Sequence, residues 1–412
     1  MRIGVVTDNY FPSVGGTEIS IWNYAKKLRK QGHEVFIFCP SHGRKNPKKP
    51  HPGTVRLRSL RGIYPDHPII FTYPGVTKLF AQYDLDILHS QTPVSAPYVA
   101  EYVARKLHIP HIHTLHTLVP EQVKRWKIGL VRFFNLFLMQ SIILKNFKKP
   151  ENYLLQDESV TMATKVRLSW IYLLRLVRIP DRVIFPSKHV KEIFAARGFK
   201  GKVSVLPTFS DMFEKNVKLD SKRPPNDHAV RFALVGRLDI EKRPQIVIDA
   251  MNLLPDYLDW RLIIIGDGSQ RNKVQRLVNT YGLEERIIFK GRKKQAEIAS
   301  ELLDADALVM PSYRFDTQGV VLLEACGAGI PIVYCDDNLT VGVEESNSIL
   351  TKPYAMSMST AIQELIENPR LRKELGKASL EVAKKYRSEK LTKKLLRIYR
   401  QTIKDHQNTQ SA

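Results

Sequence analysis

Two carboxylates in the second half of the chain, Asp316 and Glu324, stand eight residues apart with Gly319 between them. A carboxylate can accept two hydrogen bonds at once, which suits the neighbouring hydroxyl groups of a ribose or a hexose. The alternative is an Asp that caps a helix and a Glu that is exposed on it. Glu324, however, stands within the apolar run Val320–Ala325, where an unpaired charge would be costly.

Two cations, Arg237 and Lys242, follow a predicted strand that ends at Gly236. This position is the carboxyl edge of a parallel sheet, where α/β proteins bind their ligands. Arg offers a planar fork and Lys a point charge, and both suit a diphosphate. The alternative, two solvated surface cations, is favoured if spacing is the only criterion.

A glycine pair, Gly15-Gly16, lies where the first predicted strand gives way to a helix. Backbone N–H groups can approach a ligand closely at such a turn, and a helix N-terminus favours phosphate. The alternative is an ordinary tight turn. Neither this pair nor Gly266-x-Gly268 completes the GxGxxG fingerprint, so the sequence does not favour a dinucleotide-dependent dehydrogenase.

Histidines end two predicted strands of the first half, His89 and His113, and His116 follows shortly after the second. A lone histidine is usually structural. Several histidines at the carboxyl edges of strands in one sheet would face the same cleft and are candidates for chemistry. The pairs Asp84-x-Asp86 and Asp304-x-Asp306 precede strands instead of following them, so we assign them no metal.

These residues lie among short apolar segments that alternate with amphipathic helical patterns. The apolar segments form two sets along the chain. The predicted strands are Arg2–Thr7, Glu34–Cys39, Asp86–His89, His111–Leu115 and Arg182–Phe185, then Arg231–Val235, Arg261–Ile265, Arg286–Phe289, Ala307–Met310 and Pro331–Tyr334. Such alternation is typical of a parallel, doubly wound sheet. We therefore expect an α/β fold with two Rossmann-like domains around a cleft.

The predicted domain bounds follow from these two sets and from a polar, Pro-containing stretch between them. We expect a first domain over residues 1–206, a linker over 207–229 and a second domain over 230–388. A basic helix and tail follow over 389–412. The segment 122–149 interrupts the first domain, because it shows one long amphipathic helical pattern.

The interrupting segment has a stripe of large apolar residues at helical spacing and carries many cations. The stripe includes Trp126, Leu130, Phe133 and Phe137. Between Gln122 and Lys202 there are 17 basic and 5 acidic residues, which places +12 of the net charge of +23 there. A basic helix with such a face is typical of a membrane interface. The alternative, a helix packed on its own domain, is about equally supported.

Composition indicates the class of protein and its cellular location. The chain has 412 residues, of which 43% are hydrophobic and 25% charged, as in soluble globular proteins. The cysteines Cys39, Cys326 and Cys335 are scattered, so we expect no disulfide framework or zinc site. No secretory signal is recognisable at the start, and we expect a cytoplasmic location. A non-enzymatic nucleic-acid binder is the rival class, but no basic and aromatic recognition module is visible.

Taken together, these blocks resemble the retaining GT-B glycosyltransferases, the glycosyltransferase 1 group, along nearly the whole chain. The blocks that carry the resemblance are Gly15-Gly16-x-Glu18, Gly32-His33-Glu34-Val35, His116-Thr117, Gly236-Arg237 with Lys242, Gly266-x-Gly268, and Asp316 to Glu324. The resemblance implies a central donor cleft and a C-terminal helix that crosses back to the first domain. It also implies a nucleotide-diphosphate sugar, UDP- or GDP-hexose, as donor substrate and no required cofactor.

The resemblance assigns roles to individual residues. His116, Arg237, Lys242 and Asp316 would be catalytic. The donor would be bound by Gly15, Gly16, Gly236, Arg237, Lys242, Asp316, Thr317, Gln318, Gly319 and Glu324. Electrostatic stabilisation of the departing diphosphate would drive the reaction without a metal ion.

The finer pattern is similar to diacylglycerol glucosyltransferases and to phosphatidylinositol mannosyltransferases. Thr317-Gln318-Gly319 and His89-x-Gln91-Thr92 match the former, and Gly15-Gly16-Thr17-Glu18 is closer to the latter. Asp316 stands where the former have a Glu, so sugar contacts differ. This implies a membrane-lipid acceptor, with Trp126, Leu130, Phe133 and Phe137 touching an anionic inner membrane face. A polysaccharide or polyprenyl-linked glycan is the alternative acceptor, and the oligomeric state stays open.

Overall fold

The computed structural model describes residues 1–12, 15–64, 67–125, 164–213, 223 and 228–410. The chain divides into two compact units. Unit 1 comprises Met1–Thr208 together with Leu391–Ala412, and unit 2 comprises Phe209–Lys390. Each unit is built on its own parallel sheet, which confirms the predicted α/β class with two Rossmann-like domains.

The elements of unit 1 alternate between strands and helices along most of its length. In order they are β1 Arg2–Val6, α1 Gly16–Lys30, β2 Glu34–Pro40, β3 Thr54–Leu57, β4 Ser59–Tyr64, β5 His67–Ile70, α2 Val76–Ala81, β6 Ile87–Ser90, α3 Ala96–Leu107, β7 His111–Thr114, α4 Val119–Arg125, α5 Thr164–Leu176, β8 Arg182–Phe185, α6 Lys188–Ala196 and β9 Val203–Val205.

The sheet of unit 1 has the strand order β3-β2-β1-β6-β7-β8-β9, with every neighbouring pair parallel. The order reverses direction between β1 and β6, so the loops that leave these two strands part to opposite sides. A separate antiparallel hairpin, β4 with β5, lies outside this sheet. Unit 1 is completed by the greater part of a last helix, α13, which spans Ser388–Gln410.

Unit 2 repeats the same plan. Its elements are β10 Val230–Val235, α7 Pro244–Asn252, β11 Trp260–Ile265, α8 Arg271–Thr280, β12 Ile287–Gly291, α9 Gln295–Leu303, β13 Ala307–Met310, α10 Val320–Ala328, β14 Ile332–Tyr334, β15 Ser348–Leu350, α11 Ala355–Glu367 and α12 Pro369–Lys385. Its parallel strands run in the order β12-β11-β10-β13-β14-β15. The point of reversal therefore lies between β10 and β13.

Both faces of the second sheet are covered, because neighbouring residues of a strand point to opposite faces. Phe232 and Leu234 of β10 belong to one apolar cluster, and Ala233 between them belongs to another. Trp260, fully buried, anchors the first cluster against α7 and α11. Burial on two sides explains why these strands are almost continuously apolar.

Two sequence predictions fall largely on residues outside the described part of the chain. The amphipathic segment 122–149 lies there from residue 126 onward, including Trp126, Leu130, Phe133 and Phe137. The linker 207–229 lies there over 214–222 and 224–227. Their predicted structures and bounds stay predictions.

Candidate functional site

The loops after β10 and β13 enclose a pocket at the carboxyl edge of the sheet in unit 2. Gly236, Arg237 and Lys242 line it from the first loop, and Pro311 and Ser312 line it from the second. This is the crevice where a doubly wound sheet binds its ligand, because the two loops part at the point where the strand order reverses.

Close backbone contact explains two of the glycine blocks in unit 2. Gly236 and Gly266 have φ values of 149° and 142°, in the region that favours glycine. A Cβ at Gly266 would lie 1.8 Å from the carbonyl oxygen of Gly236, and one at Gly268 would lie 2.6 Å from that of Leu238. These glycines therefore let the loops after β10 and β11 pack on each other.

The guanidinium of Arg237 is held by two carboxylates of its own loop. It donates hydrogen bonds to Asp239 and, at 2.7 Å, to Oε1 of the buried Glu241. Burial opposes ionisation of Asp239, but hydrogen bonds from the backbone and hydroxyl of Ser269 outweigh it and lower the Asp239 pKa. Arg237 nevertheless keeps 55% of its side chain exposed, so one face of the cation stays accessible.

Lys242 forms an ion pair with Asp316, which joins two of the predicted site residues. Nζ of Lys242 lies 2.6 Å from Oδ1 of Asp316, and both side chains are mostly buried. The other carboxylate oxygen, Oδ2, is buried and accepts no hydrogen bond from any described residue. Such an oxygen is costly unless a ligand supplies a donor.

The helix α10 begins immediately after Asp316-Thr317-Gln318-Gly319. Gly319, in the left-handed region at φ 77°, caps the helix without a side chain, so the first N–H groups of α10 are not covered by a capping group. Gln318 is buried and Thr317 is partly buried. The turn thus places the Asp316 carboxylate and the positive end of a helix next to each other in sequence and in space.

Glu324 lies one turn further along α10 and is partly buried. Its Oε1 accepts a hydrogen bond from Ser210 at 3.3 Å. Burial raises the Glu324 pKa to about 7, and the hydrogen bond from Ser210 only partly offsets this rise. Glu324 therefore differs from the exposed helical Glu that was the alternative for this position.

The glycine pair of unit 1 lies at the N-terminus of α1. Gly15 precedes the helix in an extended conformation, and its carbonyl accepts from the backbone N–H of Ile19 at 3.1 Å. A Cβ at Gly16, the exposed first residue, would meet no described atom within 4 Å. Glu18, buried in the same turn, brings its Oε2 to 2.9 Å from the position that a Cβ of Gly15 would take, so a carboxylate already lies at this helix N-terminus, where an anion site is expected.

His113 and its strand neighbour His111 are buried members of one hydrogen-bond network. Ser90 Oγ lies 2.8 Å from His111 Nε2 and 2.9 Å from His113 Nδ1, and Nδ1 of His111 lies 3.0 Å from Glu101. The arrangement has the order of a Ser-His-Glu triad, but Ser90 and His111 are fully buried. No substrate can reach this hydroxyl, so the group is structural.

His116 is placed differently from the other histidines. Its Nε2 lies 2.7 Å from Oε1 of Gln91. Burial lowers the His116 pKa to about 4, so the imidazole is neutral near neutral pH. A neutral ring can orient a hydroxyl without adding a charge.

One organising residue that sequence analysis missed is Asp8. It lies directly after β1, is buried, and accepts hydrogen bonds from the backbone N–H groups of Ser95 and Ala96 at the start of α3. Thr92 Oγ1 donates to it at 2.7 Å. Burial raises the Asp8 pKa against these hydrogen bonds. A carboxylate immediately after a buried strand was the available signal, but its partners are more than eighty residues away.

The Asp-x-Asp pairs have structural partners. Asp86 accepts from the backbone N–H of Arg2 at 2.7 Å, and Asp306 accepts from that of Arg231 at 2.8 Å. Among the described residues, His, Cys, Asp and Glu form no group of three that suits a metal ion. Within the same residues, every helix is too short or too polar to span a bilayer.

Comparison with known proteins supports the relationship over both units. The model of "Glycosyltransferase Family 4" matches residues 14–212, and that of "Glycosyl transferases group 1" matches 218–382. Alpha-monoglucosyldiacylglycerol synthase of Streptococcus pneumoniae is 29% identical over 347 residues, covering 81% of this chain and 70% of that protein. A GDP-mannose-dependent alpha-mannosyltransferase of Mycolicibacterium smegmatis is 24% identical over 350 residues, covering 82% and 80%.

Solved structures share the fold. Sucrose-phosphate synthase from Thermosynechococcus elongatus superposes with a TM-score of 0.71 at 19% identity, covering 97% of this chain and 99% of that one. HepE from Anabaena, in complex with UDP, gives a TM-score of 0.69 at 16% identity with the same coverage. With its two parallel sheets and its matches to both family models, the chain belongs to the GT-B glycosyltransferases.

Proposed function

We propose that this glycosyltransferase transfers a hexose from a nucleotide-diphosphate sugar to a membrane-lipid acceptor with retention of the anomeric configuration. The observation that carries the proposal is the buried Oδ2 of Asp316, to which none of the described residues donates a hydrogen bond while Oδ1 is held by Lys242. A sugar hydroxyl supplies the donor that this oxygen lacks. The relatives' names, which include a GDP-mannose-dependent enzyme, and the UDP bound to HepE support the donor class.

Different charged groups of unit 2 bind different parts of the donor. Lys242 and the exposed face of Arg237 stabilise the negative charge that develops on the departing diphosphate. The first turn of α10 adds its backbone dipole. Glu324, once ionised, accepts hydrogen bonds from the ribose hydroxyls. As the resemblance implies, we expect the transfer to require no divalent metal ion.

The acceptor hydroxyl attacks from the face that the nucleotide leaves, which retains the configuration. Its proton passes to the departing β-phosphate. The resemblance assigns the helix start at Gly15-Gly16 to the donor phosphates and sugar, and it assigns His116, a neutral ring, to the reaction centre. No carboxylate is assigned as a nucleophile, so no glycosyl-enzyme intermediate is part of this scheme.

A lipid acceptor is supported by the relatives and by charge. The Streptococcus pneumoniae relative is named as a glucosyldiacylglycerol synthase. The excess of cations between Gln122 and Lys202 suits the anionic inner face of a membrane, where each contributes about 1 kcal/mol. The apolar stripe of 122–149 would add burial among the headgroups. A diacylglycerol-like or phosphatidylinositol-like hydroxyl would then lie within reach of the site.

The chemistry is tested with a panel of UDP- and GDP-hexoses, with and without vesicles that contain diacylglycerol or phosphatidylinositol. We expect one donor to be consumed faster when its lipid is present, and the first-formed product to have the donor's anomeric configuration by proton NMR. Activity should persist in EDTA. An inverted anomer, or loss of activity in EDTA, would contradict the mechanism; transfer only to a polyprenyl or polysaccharide acceptor would contradict the lipid assignment.

The membrane contact is tested by flotation. The chain should float with anionic vesicles at low salt and be released as salt screens the attraction. The double variant Phe133→Ser, Phe137→Ser should lose flotation and still hydrolyse donor slowly. The matched control is Leu253→Ser, Tyr257→Ser, which removes two exposed apolar side chains of unit 2 and should float normally. If the first variant floats as well as the parent, the interfacial role of segment 122–149 is wrong.

A further inference from the structure

His116 is the partly exposed end of a series of hydrogen-bonded side chains within unit 1. Its Nε2 contacts Oε1 of Gln91 at 2.7 Å. The amide nitrogen of Gln91 lies 3.2 and 3.1 Å from the two ring nitrogens of His89. His89 Nδ1 lies 2.7 Å from the hydroxyl of Tyr399, and His89 Nε2 lies 2.7 Å from that of Thr114. Tyr399 belongs to α13, so the series ends in the C-terminal helix.

The geometry shows how Gln91 is oriented. Both ring nitrogens of His89 already have a hydroxyl partner, and the amide nitrogen of Gln91 is equally far from both. An atom in that position lies over the face of the ring, because in the ring plane it would collide with the carbon between the nitrogens. An amide N–H is attracted to an aromatic face, whereas a carbonyl oxygen is repelled. The carbonyl end of Gln91 therefore points to His116.

This orientation determines which nitrogen of His116 carries the proton. A carboxamide oxygen only accepts hydrogen bonds. In the neutral ring, Nε2 must then be the N–H donor, and the lone pair is on Nδ1. Gln91 therefore favours one of the two tautomers of His116 through this contact.

We propose that Gln91 is a positioning residue that holds His116 in one orientation and one tautomer for glycosyl transfer, and that Tyr399 supports it through His89. The inference rests on the proposed function in one respect, the placement of His116 at the reaction centre. The groups that support His116 are buried, with Gln91 6%, His89 2% and Tyr399 1% exposed, whereas His116 itself is partly exposed. Such a network is rigid because every member has little freedom to move.

Four variants test the hydrogen-bonded series from His116 to Tyr399. Gln91→Leu removes both ends of the amide. Gln91→Glu keeps an acceptor toward His116 but makes it a carboxylate. Tyr399→Phe removes only the hydroxyl that contacts His89. The matched control is Thr402→Val, on the same helix and equally buried, whose hydroxyl bonds to Arg182 and to the backbone of Ile398 and not to His89.

The first measurement is independent of catalysis. Nitrogen NMR of ¹⁵N-histidine-labelled full-length protein, with the His116 signal identified by its loss in His116→Ala, should show the proton on Nε2 in the parent. In Gln91→Leu this preference should be lost. In Gln91→Glu the proton should stay on Nε2 and the His116 pKa should rise by about one to three units, because an opposite charge favours the imidazolium. Thr402→Val should match the parent.

The second measurement is kinetic. Gln91→Leu should lower kcat roughly ten- to a hundredfold, the range found when a partner that orients a functional histidine is removed. The KM for the donor should change little, and Tyr399→Phe should show a smaller loss of the same kind. In Gln91→Glu the acidic limb of the pH–rate profile should move to higher pH together with the His116 pKa.

The outcomes separate this proposal from the proposed function. If Gln91→Leu leaves the proton on Nε2, or changes the tautomer without changing kcat, the positioning role is wrong. If His116→Ala transfers sugar as fast as the parent, the assignment of His116 to the reaction centre is wrong, whatever the NMR of Gln91→Leu shows. A loss of kcat in Thr402→Val equal to that in Tyr399→Phe would show that α13 acts only through packing and would overturn the role of Tyr399.

Discussion

The two units use the same sheet topology but opposite chemistry at the carboxyl edges of their strands. In unit 2 the loops carry charges that pair at short range, Lys242 with Asp316 and Arg237 with Glu241. In unit 1 the histidines near the ends of β6 and β7 contact hydroxyls and an amide, and Asp8 after β1 accepts hydrogen bonds from a hydroxyl and backbone N–H groups. The first arrangement is partly exposed and leaves one carboxylate oxygen without a donor; the second is buried.

The difference teaches what each unit is able to do. Charged groups held in a fixed arrangement stabilise charge that develops on a leaving diphosphate, and they require no reorganisation when it forms. Buried hydrogen-bonded side chains do this less well, but they hold one another in fixed positions. The comparison therefore predicts that substitutions in unit 2 affect donor binding and the departure of the diphosphate. Substitutions in unit 1 should affect the orientation of the side chains there.

The largest effect is expected from removal of the cations. Lys242→Ala and Arg237→Ala should each lower turnover by ~10²–10³, the usual loss when one preorganised partner of a developing charge is removed. Steady-state kinetics with the preferred donor measures this. Lys384→Ala, an exposed cation paired with Glu381 on α12, is the matched control and should keep full turnover. Near-normal turnover in both site variants would remove the charge-based assignment of unit 2.

The next effect isolates the oxygen that lacks a donor. Asp316→Asn keeps the size of the side chain but removes the charge that a sugar hydroxyl would bind. A hydrogen bond to a charged group contributes about 1.5–3 kcal/mol, so the nucleotide sugar should bind roughly ten- to a hundredfold more weakly. Binding of the nucleotide diphosphate alone should change little. Calorimetry with both ligands decides this, and equal weakening of both would show that Asp316 does not contact the sugar.

Sequence reasoning predicted the fold because both sheets are buried on two faces, which leaves a strong apolar signal. Arg182–Phe185 and Ala307–Met310 were predicted with the observed bounds, and most other strands within one or two residues. The short edge strands β3, β9 and β15 and the β4–β5 hairpin were missed. An edge strand is covered on fewer sides, so its composition differs less from that of a loop.

The site was predicted as a set of residues but not as a set of contacts. Lys242 and Asp316 were named separately, and their ion pair joins positions 74 residues apart. Asp239 and Glu241, which hold Arg237, were not singled out, because a carboxylate in a polar loop carries no distinguishing signal. Of the candidate histidines, His113 is buried beside Ser90, and His89 is buried between Tyr399 and Gln91. Only folding reveals which strand end faces a cavity and which faces a neighbour.

A fall in pH should destabilise unit 1 but not unit 2. All but one of the 12 histidines fall within unit 1, and burial lowers the pKa of His89 to about 3 and that of His116 to about 4. The unfolded chain then takes up protons first, so stability is retained above about pH 6.5 and is lost as the pH falls toward the folded values. One such histidine contributes about 2 kcal/mol of loss at about pH 5.

This loss is measured by hydrogen exchange in each unit, corrected for the intrinsic effect of pH. Unit 1 amides should lose protection between neutral pH and about pH 5. Unit 2 should not, because the raised pKa of Glu324, about 7, acts with the opposite sign: its folded form takes up a proton first as the pH falls. Parallel loss of protection in both units would contradict a distinct neutral network in unit 1.

The smallest effect concerns the same glutamate during donor binding. With the Glu324 pKa raised to about 7 by burial, the carboxylate that accepts the ribose hydroxyls is present in about a tenth of the molecules at about pH 6 and in most of them at about pH 8. If only the ionised form binds, apparent affinity scales with that fraction, so donor affinity should rise roughly tenfold over this interval. A nucleotide-diphosphate sugar is the proper ligand, because its phosphates, unlike the terminal phosphate of a free nucleotide, do not titrate near neutral pH. Glu324→Gln should bind more weakly at about pH 8 and show no rise, and a rise that persists in this variant would place the titrating group elsewhere.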